Sequence, residues 1–550
     1  MKAFFPLLAL LFVLNSCVPK KDYYQFEDPK RPKLVVGIVV DQMRADYIYR
    51  FYDKFSDNGF KRLLRDGFEV KNTKYDFIPT YTGPGHATVY TGATPSLHGI
   101  IANNWYSYKE GKEIYCAYDS SRNTIGSDSK RGKYSPKNIL SSTITDELHL
   151  FTNLKSKVYG VSIKDRGAIF PAGRSADGAF WYDPDEGKFI SSDFYYQELP
   201  GWVEEFNSKN LPDQYLGKVW NTLLPIEEYF ESTADDVPYE GVFKGKEKPI
   251  FPYNLSELRS ENSNFGLLSS TPYGNTIVTD MVLHTIDSEE MGVDETTDFM
   301  AMSYSSTDYI GHRFGPNSIE VEDTYLRLDL EIERLLNHLD EKVGNKNYLI
   351  FLTADHGVER VPEYLADQKL SAGSVPVKDL VIKLADFLVE KYGTSDVVEN
   401  VGNNNIYLNR KMIKEKGMDI HVIREEIRTE ILNHDLIVAA YTFNDFVGSN
   451  SNEDQKGLLL NGFHPNRSGD ILFNFKPGYL PRSGSYRTGT SHGSGYTYDT
   501  HVPLLWYGWK IEPGYTVKPY SITDIAATLS MKLNIPLPNS CVGQPIEELF

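Results

Sequence analysis

Cysteine is nearly absent: the 550 residues contain three, Cys17, Cys116 and Cys541. So few thiols exclude a disulfide-built scaffold and a thiolate zinc cluster. Cys116 and Cys541 are so distant in sequence that a disulfide and two buried free thiols fit equally well. Positive charge is also short, with 57 Lys and Arg against 75 Asp and Glu, a formal net charge of −18. A chain this acidic is not built to wrap nucleic acid, because neutralising phosphates needs a basic surface. If it handles phosphate, the site must be locally cationic, and metal ions supply that charge in an acidic protein. Internal repeats, low-complexity tracts and blocks of one charge are missing too. With 41% hydrophobic residues, what remains is an ordinary globular chain large enough for a substantial core.

Long apolar runs are absent after the first residues, so nothing later in the chain has the length of a membrane span. The start, MKAFFPLLALLFVLNSC, joins a Lys to an apolar run too short to cross a bilayer as a mature helix, which is the pattern of an export signal. Leu14-Asn15-Ser16-Cys17 resembles a bacterial lipobox. Residues 1–16 are therefore expected to be a lipoprotein signal, Cys17 the lipidated first mature residue and the membrane anchor, and 17–33 a polar tether. This places the protein in the periplasm or on the outer membrane. Plain secretory cleavage nearby is the alternative.

The run LVVGIVVD is continuously apolar and β-branched, as expected of a strand buried on both faces of a parallel sheet. VYGVSIK, DFMAMSYSS, NYLIFLTAD and VPLLWYG have the same character, and a charged helix-like stretch fills about 320–343. The pattern predicts an α/β fold. Asp41, Lys164, Asp308 and Asp355 each fall at or just past the end of such a run, the edge where open α/β sheets bind ligands. Residues 103–157 and 180–270, rich in Tyr, Trp, Pro, Gly and Ser, are expected to be loop-heavy insertions. Residues 360–490 mix helix-like and strand-like segments and predict an α+β cap inserted into one catalytic domain, 34–550.

Taken singly, the polar residues of this pattern have bland explanations. Asp41 could cap a helix, Asp308 and His312 stand at i,i+4 in TDYIGHRFG, and His492 is a loop histidine in GTSHGSG. Asp355-His356 ends a strand, and Gly357 would permit the turn that lets both converge. Together, three Asp and three His are oxygen and nitrogen ligands of the kind zinc accepts, enough for two three-ligand sites with open positions. In PTYTGPGHATVYTG, Pro84 places Thr82 at the start of a helix, where free N–H groups favour an anionic phosphoryl group. Its hydroxyl needs a base or metal to become a nucleophile, and a plain N-cap is the competing explanation. Lys164-Asp165-Arg166 is either a surface charge run or a clamp for a dianion.

The ordered series GIVVDQMR, PTYTGPGHATVYTG, GIIANNWY, SIKDRGA, STDYIGH, TADHG and SHGSGYTYDTHVPLL resembles the alkaline phosphatase superfamily, most closely the flavobacterial single-chain alkaline phosphatases. The resemblance covers nearly the whole mature chain. It implies a central, mostly parallel sheet flanked by helices, and zinc-dependent hydrolysis of phosphate monoesters through a covalent phosphothreonine on Thr82. It implies two Zn2+ ions, one held by Asp308, His312 and His492, the other by Asp41, Asp355 and His356 with Thr82 directed to it. Asn103, Lys164 and Arg166 would hold the non-bridging phosphate oxygens. Asn103 is preferred over Asn104, and His492 over His501, by motif alignment. The substrates would be small phosphate monoesters and the protein a monomer. A phosphodiesterase or nucleotide pyrophosphatase on the same bimetallo core is the nearest alternative, and a non-catalytic surface lipoprotein the alternative of another class. A sulfatase would need a Cys or Ser nucleophile in a different context, which the Thr82 segment lacks.

Overall fold

A computed structural model describes residues 31–446, 455–482 and 488–550. The signal, the lipobox and most of the tether lie outside these described residues.

A continuous apolar run is stable as a strand only when both faces are covered. The runs identified above form β1 (Leu34–Val40), β2 (Val158–Ser162), β4 (Asp298–Tyr304), β5 (Tyr348–Thr353) and β6 (Leu504–Gly508), and β3 (Gly178–Asp183) adds to them. They lie side by side in the order β6-β5-β1-β4-β2-β3, the centre of a sheet with eleven strands among the described residues. Every residue of β1, β4 and β5 is buried. β1 to β5 are parallel to their neighbours in this order, whereas β6 runs antiparallel to β5. Burial on both faces makes a strand apolar whatever its direction, so VPLLWYG carries no mark of its reversal. The fold is α/β, a large, mostly parallel sheet flanked by helices.

Three helices bear on the site, α1 (Thr82–Thr91), α2 (Asp165–Ala172) and α3 (Ser306–Phe314), and α4 (Ile319–Leu339) packs against α3. The side chain of Ser318 accepts the Val321 N–H at the start of α4, and Glu320 and Glu322 place acidic side chains in its first turn. α1 is buried on all sides and lies so close to the end of β5 that a Cβ on Gly85 would stand 2.3 Å from the Asp355 carbonyl oxygen.

Residues 180–192, within a stretch expected to be loop-heavy, are largely main-sheet strands: the end of β3 and its antiparallel partner Lys188–Ser192. Segment 103–157 opens with a hairpin, Asn104–Ser107 paired with Lys112–Tyr115, and includes the helix Ile144–Phe151, started by a Thr143/Asp146 capping box. Between 377 and 475, a four-stranded antiparallel sheet in the order Val398–Gly402, Asn405–Leu408, Ile471–Phe475, Ile437–Thr442 packs with helices Val377–Tyr392 and Ile420–Leu432 around a separate core that includes Ile406, Ile427 and Ile471. Cys116 and Cys541 are both free thiols.

Candidate active site

Strand register gathers the polar residues. Val39 pairs with both Ser303 and Thr353, and Ser303 pairs with Ser162, so these four residues form one line across β5-β1-β4-β2. Asp41, Asp355 and Lys164 each stand two residues past that line, and Asp308 follows Ser303 in the first turn of α3. All four therefore emerge at the carboxyl edge of the sheet. Thr82 joins them as the first residue of α1; the N-cap position is Tyr81, so Thr82 is not the capping residue.

The resulting cluster of side chains is buried apart from the partly exposed His312. Lys164 Nζ lies 2.7 Å from Asp41 Oδ2 and 2.6 Å from Asp308 Oδ2, and 3.4 Å from the Thr82 hydroxyl. His356 Nε2 lies 3.5 Å from the same hydroxyl, 3.5 Å from Asp41 Oδ1 and 3.4 Å from Asp355 Oδ2. His312 Nε2 is 3.1 Å and His492 Nε2 3.7 Å from Asp308 Oδ1, and the rings of His356 and His492 stack at 3.5 Å. The one ammonium pairs with Asp41 and Asp308 and leaves Asp355 without a cation, so carboxylates outnumber ammonium in the cluster before any imidazole is counted. Burial, then the neighbouring Asp41, pushes the Asp355 carboxyl far above its usual range, and burial also raises Asp41. Burial opposes it, yet His312 and Lys164 hold Asp308 well below the usual range.

This environment fits a metal. Asp41 Oδ1 and Asp355 Oδ2 are buried with no hydrogen-bond partner among the described residues, an expensive state for a carboxylate. The Nδ1 atoms of His312, His356 and His492 face the carbonyl oxygens of Thr490, Gly357 and Thr80 at 2.8, 2.9 and 2.7 Å. A carbonyl only accepts, so Nδ1 carries a proton in all three rings. His356 and His492 then turn an Nε2 lone pair toward the carboxylates, the tautomer a metal ligand needs, whereas burial opposes it but Asp308 raises the His312 pKa. Burial lowers His356 to about 3 and His492 well below its usual value, so both are neutral. Ligand-capable atoms converge in two groups, Asp41 with Asp355 and His356, and Asp308 with His356 and His492.

The grouping differs from the expected one. His356 belongs to both groups, while His312, expected beside Asp308 and His492, borders the second through Asp308 and through the His492 ring, 5.1 Å from its own. Lys164, expected to face phosphate, is drawn into the carboxylates because a buried ammonium pairs with the nearest anions. Asn103 reaches the start of α1, its Oδ1 accepting the Gly83 N–H at 2.8 Å, whereas Asn104 is exposed. His501 is elsewhere, bonded to the Lys71 carbonyl at 2.9 Å. Arg166 stands at the start of α2, with Nη1 3.0 Å from the Tyr115 hydroxyl. Gly357 has no left-handed backbone; glycine is needed there because a Cβ would lie 2.2 Å from the Tyr498 carbonyl.

Two further site residues lie within GIVVDQMR and PTYTGPGHATVYTG, where no spacing or periodicity marks them. Gln42, with φ of 66°, donates its backbone N–H to Asp355 and its side-chain amide to Asp308, tying two acids together. A non-glycine residue in that conformation is strained, and nothing in DQMR announces it. His86 bridges the Thr82 carbonyl and Ser303 Oγ, both at 2.9 Å, one turn along the helix from Thr82. The Tyr115 hydroxyl also donates to Asp165 Oδ1 at 2.6 Å, a contact across fifty residues that no sequence signal announces.

Fold and site together define a hydrolase of the alkaline phosphatase superfamily. The model of the type I phosphodiesterase / nucleotide pyrophosphatase family matches residues 35–497, and the chain belongs to that family. Alkaline phosphatase PafA of Elizabethkingia meningoseptica is 44% identical over 521 residues, 94% of this chain and 95% of that protein. Alkaline phosphatase PhoV of Synechococcus elongatus is 43% identical over 520 residues, 94% of this chain and 93% of that protein. The crystal structure of PafA superposes with a TM-score of 0.90 at 43% identity, covering 94% of this chain and 99% of that one.

Proposed function

We propose that the protein is a zinc-dependent phosphate monoesterase with Thr82 as nucleophile. The observation that carries this reading is the placement of the Thr82 hydroxyl, at the N-terminus of a buried helix and between His356 and the Lys164 ammonium. The high identity to two alkaline phosphatases over nearly the whole chain supports the substrate class.

Asp41, Asp355 and His356 would hold one zinc ion, and Asp308, His312 and His492 a second; bound there, zinc lowers the pKa of a hydroxyl and neutralises a departing alkoxide. The Thr82 oxygen attacks phosphorus, the ester P–O bond breaks and the alcohol leaves. Water then cleaves the phosphothreonine, regenerating Thr82 and releasing inorganic phosphate. In the first turn of α1 the Gly83 N–H donates to Asn103 Oδ1, Pro84 has no N–H and the Gly85 N–H donates to the Tyr81 carbonyl. The helix therefore offers the phosphoryl group its dipole rather than a set of free donors, and the amide N–H2 of Asn103 would donate to it. Lys164 and Arg166 supply the positive charge that a dianionic monoester needs on its non-bridging oxygens. The N-terminal run and Leu14-Asn15-Ser16-Cys17 support export and lipidation at Cys17, in the periplasm or on the outer membrane. Among the described residues no helix is long and apolar enough to cross a membrane.

The family name also covers diesterases, so the test compares an aryl phosphate monoester with its methyl diester on protein of counted metal content. The monoester should be the better substrate, chelation should abolish turnover, and zinc should restore it better than magnesium because half the ligands are imidazoles. Preference for the diester would favour the phosphodiesterase reading, and full activity in metal-free protein would refute the bimetallic one.

A further inference from the structure

Arg166 does not stand alone. Its Nη1 donates to the Tyr115 hydroxyl at 3.0 Å, and that hydroxyl donates in turn to Asp165 Oδ1 at 2.6 Å. Arg166 Nε is buried with no hydrogen-bond partner among the described residues. A guanidinium on a long, flexible stem loses its forked geometry unless something fixes it. Tyr115 is well placed for that: its ring packs edge-on to Tyr134 at 5.4 Å, and Tyr134 lies 6.3 Å from Trp181. Burial raises the Tyr115 pKa well above its usual value, so the hydroxyl keeps its proton and can accept from Arg166 and donate to Asp165 together.

Tyr115 closes the hairpin whose first strand follows Asn103. Asn104 pairs with Tyr115 across the two strands, and the Cys116 N–H donates to the Asn103 carbonyl at 2.9 Å. The Cys116 side chain also packs against α1: a Cβ added to Gly83 would stand 3.2 Å from its sulfur and 3.1 Å from Asn103 Oδ1. One short antiparallel element thus touches the first turn of the nucleophile helix, holds Asn103 and reaches Arg166. Loops rarely place two groups from distant parts of a chain with such economy, whereas a paired strand does so by its register.

We infer that Tyr115 is the positioning residue of Arg166, and that the hairpin Asn104–Ser107/Lys112–Tyr115 sets Asn103 and Arg166 as one unit around the phosphoryl group. The inference rests on the monoesterase reading. Its test is Tyr115→Phe in the metal-loaded enzyme, which removes the hydroxyl and keeps the ring. Monoester kcat/KM should fall on the order of 10-fold, the usual effect of losing one hydrogen bond to a charged group, with a smaller fall on the methyl diester. In an Arg166→Ala background the same change should cost nothing further, because the group it positions is gone. A purely structural tyrosine would instead lower both activities equally, and its loss would add to that of Arg166→Ala; either result overturns the inference while leaving the monoesterase reading in place. If Arg166→Ala alone left monoester turnover unchanged, the clamp itself would be wrong and the role of Tyr115 with it. Thermal unfolding of Tyr115→Phe, expected near the parent midpoint, separates lost positioning from lost fold.

Discussion

Two buried aspartates, Asp355 at the edge of the main sheet and Asp470 before a strand of the smaller one, have the same side chain and no exposed surface, and opposite surroundings. Asp470 is saturated: it accepts from the Tyr108 hydroxyl, the Leu408 N–H and the guanidinium groups of Arg410 and Arg424. Against burial, which raises it, Tyr108 and the two arginines hold Asp470 below the usual carboxylate range. Asp355 accepts the Gln42 N–H on one oxygen, has no hydrogen bond on the other, and titrates far above the usual range. A fully satisfied buried charge is architecture. A buried charge left wanting a partner costs stability, and such costs concentrate where chemistry is done.

The largest effect expected on that contrast comes from the cations. Replacing Lys164 and Arg166 together by Ala should lower monoester kcat/KM by roughly two to four orders of magnitude. The methyl diester should lose less, since its transition state carries one charge fewer on the non-bridging oxygens. Equal losses on both substrates with zinc retained would show that the pair shapes the site generally and does not select monoesters.

Next in size is Asp470→Asn. Breaking a buried ion pair by neutralising one partner strands Arg424, and should lower stability by about 3–5 kcal/mol, read from denaturant unfolding. Turnover per folded molecule should change by no more than a few-fold. Because the Asp470 pKa is depressed, its contribution is present above the unfolded value near 4 and fades as pH falls through the folded one. A stability unchanged by the substitution would erase the difference between the two aspartates.

The smallest expected effect has the opposite sign. In metal-free protein, Asp355→Asn should raise stability by about 1 kcal/mol, because it removes a carboxylate crowded by Asp41 and Asp308 while an amide oxygen can still accept from Gln42. The same variant should lose metal and activity. Sign follows from linkage: the folded Asp355 holds its proton to higher pH than the unfolded one, so in the metal-free parent this group makes folding less favourable as pH rises above about 4. Loss of stability in metal-free Asp355→Asn would mean that the carboxylate is structural after all.

The same contrast explains what the sequence disclosed. β1, β2, β4, β5 and β6 are legible because burial on both faces leaves an apolar run, and the site acids are legible because they interrupt such runs at their ends. The direction of β6 is not legible, since the pattern of a buried strand is blind to it. Strands at 178–192 are hidden because FWYD and FISS flank an Asp- and Gly-rich turn that resembles loop. Asn103, and the roles of Thr82 and His492 over their bland explanations, come from motif resemblance, and only the fold shows what stands beside them. Gln42 and Tyr115 are invisible for a further reason: a strained φ and a hydroxyl reaching across fifty residues leave no periodicity or spacing behind.

In the proposed mechanism the Thr82 oxygen becomes covalently phosphorylated during turnover. Acid-quenching the metal-loaded enzyme during turnover of an aryl phosphate, followed by peptide mass spectrometry, tests it directly. Phosphate should be found on Thr82, persist as phosphoserine in Thr82→Ser, and vanish in Thr82→Ala. Phosphate on Thr80 or Thr88 of the parent enzyme, or turnover by Thr82→Ala at the parent rate, would contradict it.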